Sequence, residues 1–233
     1  MTKMLFLIPT TLGDSRLENV LPTGNFDIIK KLKYFIVENL RSARRFLKSI
    51  DKEINIDELT FFELNQHTDL QTISSFVKLL NSNDMGIISE AGCPCVADPG
   101  AVVVALAQEK GTIVVPLVGP SSILLSLMAS GFNGQGFAFS GYLPIDKNPR
   151  IQRLKTLESR LLAENQTQIF IETPYRNNQL FEDIVQNLKP TTKLCIACEI
   201  TTANEFIKSS FISNWKKNKI DLHKKTVIFL IGK

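Results

Sequence analysis

A chain of 233 residues can bury either one large core or two smaller ones. With 44% hydrophobic and 21% charged residues it has the balance of a soluble globular protein, and no stretch approaches the roughly 18 apolar residues of a membrane span. Its net charge of +4 allows an anionic partner without requiring one. The apolar run Met4 to Ile8 is shorter than a signal-peptide core and has no small-residue cleavage site, so a cytoplasmic location is the expectation.

Strand-like and helix-like runs alternate along the first half. Strands are expected over 4–8, 33–37, 59–63, 85–89, 112–116 and 137–140, with helices over 40–50, 70–81, 101–110 and 121–130. Such alternation predicts a mostly parallel sheet with helices on both faces. Residues 141–149 hold a glycine and two prolines without periodicity and read as a linker. Beyond them a helix (150–163), a strand (168–172), a helix (176–188) and three strands (193–201, 205–210, 226–231) predict a mixed, partly antiparallel sheet with helices. The expectation is two α/β domains, 1–143 and 144–233.

The most informative stretch is Ser89-Glu90-Ala91-Gly92-Cys93-Pro94-Cys95-Val96-Ala97-Asp98-Pro99-Gly100, a loop with two acids between a strand and a helix. Two other loops follow strands: Pro9-Thr10-Thr11-Leu12-Gly13-Asp14 and Leu117-Val118-Gly119-Pro120-Ser121-Ser122. In a parallel sheet all three emerge at the carboxyl edge, where such folds bind ligands. An ordinary strand-to-helix connection is the plainer reading of each, and Ser121 or Ser122 can be simply a helix cap.

The cysteines pair as Cys93-x-Cys95 and Cys195-x-x-Cys198. The second pair lies in a strand-like run that points residues three apart to opposite faces, and no knuckle turn accompanies either, so the four read as reduced, mostly buried thiols rather than a zinc site. His67 and His223 read as surface or loop residues, too few for a histidine-based triad or metal cluster. No dinucleotide, P-loop or nucleophile-elbow motif occurs. Carboxylates near strand ends are Glu38, Glu90, Asp98, Glu172 and Glu199; each can be a base, a cap or an ion-pair member. Arg41, Arg44, Arg45 and Lys48 share one helix face. Lys147, Arg150, Arg153 and Lys155 add charge at the linker, and Lys216, Lys217, Lys219, Lys224 and Lys225 add more later. Each patch can be only a solvated face; together they would suit a phosphate backbone.

These motifs, with Leu5 to Thr10, Gly141-Tyr142-Leu143-Pro144, Phe170 to Arg176 and Ala197 to Thr201, make the chain resemble the tetrapyrrole methylase superfamily of S-adenosylmethionine-dependent enzymes. Within it the chain is most similar to the small-subunit ribosomal RNA cytidine-2′-O-methyltransferases. The resemblance implies a cofactor pocket between two α/β domains and a homodimer. It implies cofactor contacts at Leu12, Gly13, Gly92, Cys93, Pro94, Ser121, Ser122, Glu172 and Thr173, and substrate contacts at Arg41 and Arg44. Asp98, Lys147 and Arg150 are further candidates for the substrate side, and Glu38 and Glu90 for accepting a proton from a ribose hydroxyl. Ribosomal RNA or the small ribosomal subunit is the expected partner, with no metal and no membrane. The chain departs from the branch at Glu90 and Cys93, where aspartate and threonine are common, and at Asn39, where aspartate is; branch members also often extend past the last strand. These departures leave two alternatives, methylation of a small tetrapyrrole-like or protein acceptor, and a cofactor-binding module without catalysis.

Overall fold

The computed structural model describes residues 3–65 and 67–233. The chain forms two compact units, Met1–Ser121 and Ser122–Lys233. In the first, β1 (Met4–Ile8), β2 (Tyr34–Val37), β3 (Thr60–Glu63), β4 (Met85–Ile88) and β5 (Ile113–Pro116) make a sheet in the order β3-β2-β4-β1-β5. Every neighbouring pair is parallel. The helices are α1 (Leu17–Val20), α2 (Thr23–Ile29), α3 (Leu40–Ile50), α4 (Leu70–Leu79) and α5 (Ala101–Glu109).

Period-two side-chain alternation divides this unit's apolar residues between two cores. Leu5, Ile36 and Ile87 turn to one face and pack with Val77 of α4 and with Val103 and Ala107 of α5. Ile8, Phe35, Val37 and Ile88 turn to the other and pack with Ile29 of α2 and with Ala43 and Leu47 of α3. The chain therefore leaves β1 toward one face of the sheet and leaves the adjacent β4 toward the other. Two neighbouring strands whose connections diverge open a crevice at their carboxyl ends.

The second unit begins with α6 (Ser122–Ser130), followed by β6 (Phe137–Tyr142), α7 (Lys147–Glu164), β7 (Thr167–Ile171), α8 (Asn177–Asn187), β8 (Lys193–Cys198), β9 (Phe206–Phe211), α9 (Ile212–Trp215) and β10 (Val227–Gly232). Its sheet runs β6-β7-β10-β8-β9, with β6 parallel to β7 and the other pairs antiparallel. Phe170 of β7 and Phe229 of β10 stack 6.0 Å apart, in a core shared with Leu154 and Leu157 of α7, Leu180 and Ile184 of α8, and Trp215 of α9.

Two expectations about the boundary need correction. The break falls at 121/122, because β6 pairs with β7 and α6 packs on β9 and β10, which draws both elements out of the first unit. Residues 141–149 are not a linker between units: Gly141 and Tyr142 end β6, and α7 begins at Lys147. Among the described residues no helix is long and apolar enough to cross a membrane.

Candidate active site

Because all five strands of the first sheet are parallel, the segments after β1, β2, β4 and β5 share one edge. Three of them interlock. The Thr10 amide donates to the Gly92 carbonyl at 3.1 Å, and the Gly92 amide donates to the Thr11 carbonyl at 3.3 Å. The buried Thr10 and Ser89 hydroxyls lie 3.3 Å apart, and Ser89 Oγ donates to the Gly92 carbonyl at 2.5 Å. The Cys93 thiol reaches the β5 loop, 3.4 Å from the Pro120 carbonyl.

Gly92 is required twice over. Its φ of +69° is one that a side chain resists, and a Cβ there would stand 2.7 Å from Leu12 Cδ2 and 3.0 Å from the Pro120 carbonyl oxygen. Cys95 and Ala97 also hold positive φ, so the loop stores backbone strain where three segments meet. The Gly92→Ala variant is expected to unfold at lower urea concentration, with about 1–3 kcal/mol less stability.

Glu38 follows β2, and Glu90 and Asp98 follow the adjacent β4, so the three carboxylates gather at this edge. Partial burial pushes the Glu38 carboxyl up to about 7, helped by the negative charge of Asp98, a hydrogen bond shared with Asp98, and the charge of Glu90. Two carboxyls in hydrogen-bond contact share one proton between them, so this edge of the sheet can hold a proton up to near-neutral pH. Among the described residues no group of three or more such side chains is placed to bind a metal ion.

Asn39 caps α3, its Oδ1 accepting from the Arg41 and Ser42 amides at 2.9 and 3.2 Å. Aspartate would cap equally well, so the departure at this position keeps the helix start. Ser42 Oγ in turn donates to Glu90 Oε1 at 2.5 Å. A cavity of about 510 Å³ opens beside this pair, lined by Thr10, Thr11, Gly13, Ser42, Arg45 and Glu90 among others.

The structure sorts the other expected residues. Arg41 is exposed at the start of α3, whereas the Arg44 guanidinium lies over the Phe61 ring on β3, 5.6 Å from its centroid. Arg45 lines the cavity instead; it was legible as part of the basic face but carries no distinguishing motif. Asp98 is half-buried: its Oδ1 accepts the Gly100 amide at 2.7 Å, and it shares the hydrogen bond with Glu38. The Cys95 thiol is pushed up to about 12 by burial and by Asp98, so it packs as an apolar group. Lys147 is exposed at the first turn of α7.

Arg150 is a correction. It is 1% exposed, and its Nε donates to Asp183 Oδ2 at 2.8 Å. Nη2 stands 2.7 Å from the same oxygen as an ionic contact outside hydrogen-bonding geometry, and Nη1 donates to the Ile145 carbonyl. A guanidinium spent on its own core is closed to an RNA phosphate.

In the second unit Glu172 is 5% exposed. Its Oε1 accepts from the Thr173 amide at 2.7 Å and from Arg176 Nη2 at 2.6 Å, while Oε2 is buried without a partner. A buried carboxylate oxygen lacking a donor is costly, so this position fits a ligand bearing an N–H or O–H group.

Comparison with known proteins gives these residues a family. No family model matches the chain. The ribosomal RNA small subunit methyltransferase I of Vibrio cholerae is 30% identical over 206 residues, which cover 88% of this chain and 67% of that protein. The chain belongs to the ribosomal RNA small subunit methyltransferase I family. The Escherichia coli member is 26% identical over 231 residues, covering 97% of this chain and 77% of its own length. The crystal structure of the methyltransferase CobJ superposes with a TM-score of 0.65 over 100% of this chain and 95% of its own, at 13% identity, which shows the shared two-unit α/β fold.

Proposed function

We propose that this methyltransferase-family protein transfers a methyl group from S-adenosylmethionine to a ribose 2′-hydroxyl in small-subunit ribosomal RNA. The observation that carries the reading is the gathering of Glu38, Glu90 and Asp98 at the carboxyl edge of the parallel sheet, beside the arginine-bearing helix α3, in a chain of the ribosomal RNA small subunit methyltransferase I family. A base whose affinity for protons matches the working pH is the group that proton removal from an alcohol needs.

The residues present fit the cofactor. Gly92 admits no side chain where the Leu12 and Pro120 loops close in, so it lets the loops that carry the proposed contacts pack against one another. Leu12, Gly13, Gly92, Cys93, Pro94, Ser121 and Ser122 are the proposed contacts, and the unpartnered Oε2 of Glu172, with Thr173, offers an acceptor to the cofactor's N–H or O–H groups. When bound, S-adenosylmethionine supplies a methyl group already activated by a sulfonium, so orientation is the main demand on the protein. Glu38 takes the hydroxyl proton; Asp98 holds Glu38, and Ser42 holds Glu90 beside the cavity. Arg41 and Arg45 meet the RNA phosphates. A cytoplasmic homodimer is part of the same proposal.

Two measurements test this reading. Calorimetry with S-adenosylhomocysteine is expected to show binding that Gly92→Ala weakens. Methyl-labelled cofactor is expected to mark ribose in small ribosomal subunits and to leave small tetrapyrrole acceptors unmarked; label on the latter, or on protein alone, overturns the assignment of the acceptor.

A further inference from the structure

We infer that the second unit carries a separate binding pocket for a nucleotide of the RNA strand, at the β8–β9 edge of its sheet. The proposal rests on the RNA reading above but on none of the residues placed at the active site. A cavity of about 490 Å³ opens there. Its floor is apolar, made by Cys198, Trp215 and Leu222, each buried to 3% exposure or less. Phe206, 38% exposed on the edge strand, and Ile220 add apolar wall.

The rim is cationic. Lys208, Lys219 and Lys225 line it, and the Lys208 ammonium stands over the Trp215 ring, 5.6 Å from its centroid. The one carboxylate at the rim, Asp221, is already committed, accepting from Asn178 Nδ2 at 2.9 Å and from the His223 amide at 3.0 Å. Among the described residues none of the three lysines makes an ion pair at contact distance. An apolar floor with Lys208 over the Trp215 ring, and Lys219 and Lys225 along the rim, matches a planar base flanked by phosphates.

Charge continues away from the cavity. Residues 216–225 hold five lysines against Asp221 alone. That segment is fastened to the loop after β7: the Lys224 amide donates to the Pro174 carbonyl at 2.9 Å, and Asn177 Nδ2 donates to the Lys225 carbonyl at 2.8 Å. Tyr175, 69% exposed in that loop, meets the His223 ring edge-on at 5.8 Å. The basic surface thus runs on to a second exposed aromatic ring, a length suited to a strand rather than to a free nucleotide.

Trp215 is the only tryptophan in the chain, so intrinsic emission reads this pocket directly. Titrating the full chain with short single-stranded oligoadenylate is expected to quench that emission to saturation. AMP is expected to bind far more weakly, and inorganic polyphosphate and polyglutamate to leave the emission unchanged. The double variant Lys208→Gln/Lys219→Gln is expected to lose about 25-fold in oligoadenylate affinity at about 0.1 M salt, with the log–log salt slope flatter by about 1.4, the counterion-release yield of two single-strand phosphate contacts. In methyl transfer to small-subunit RNA the same variant is expected to raise KM and leave kcat unchanged. Absence of quenching, an unchanged slope in the variant, AMP binding as tight as the oligomer, or quenching by polyglutamate overturns the pocket. If the wild type labels RNA and the variant's KM is unchanged, the pocket alone is wrong; if the wild type labels no RNA at all, the acceptor reading fails with it.

Discussion

Replacing Glu38 by Gln is expected to lower methyl transfer by about 10²–10⁴-fold, the contribution of a positioned general base. The wild-type rate should rise with pH and level off above about 7, because Glu38 accepts a proton only as the carboxylate and its carboxyl is held up at about 7. The Gln variant should lose that rise while still binding S-adenosylhomocysteine, which separates a chemical role from a binding one. Asp98→Asn is the sharper partner test. It removes the charge that disfavours ionised Glu38 yet keeps an oxygen for the Gly100 amide, so the rise should move to lower pH. The same shift appears in stability. A carboxyl raised from 4.5 to about 7 in the folded state stabilises most below about 4.5, and that contribution is lost as pH rises through 7. Glu38→Gln should flatten that slope in urea unfolding followed across the range. Undiminished turnover of Glu38→Gln, with the rise in rate intact, removes this residue as the base.

The sheet-edge site was legible in the sequence because its determinants are local. The runs at 4–8, 85–88 and 113–116 announce strands by composition, and the loops after them announce themselves by glycine and proline. The basic helix at 40–50 was visible by period, down to its bounds. What was not legible depends on partners distant in the chain. Whether β6 belongs with the strands before it or after it depends on its pairing with β7, across the whole of α7. The interaction of Glu38 with Asp98 spans α3, β3, α4 and β4, and no spacing rule reaches that far. Short elements such as α1 and α9, four residues each, carry too few positions for a period to show.

Arg150 shows how a signal can be present and misread. Residues 150, 154, 157 and 161 fall at the spacing of a buried helical stripe, and Leu154, Leu157 and Leu161 are indeed buried beside Arg150. Its charge suggested a surface role; the stripe placed it in the core, where Asp183 on α8 compensates it. Arg150→Met is therefore expected to cost about 3–5 kcal/mol in urea unfolding, since it strands a carboxylate that is only 4% exposed. The lost guanidinium also leaves the Pro144 and Ile145 carbonyls short of a donor at the entry to α7. Adding Asp183→Leu should recover most of that loss, because apolar side chains of similar volume commonly replace a buried ion pair at little or no cost. The rescued double variant is the decisive protein. If Arg150 serves only the core, it binds small-subunit RNA with wild-type affinity and methylates it with an unchanged KM. If Arg150 meets the RNA, stability returns while affinity does not, and the structural assignment falls.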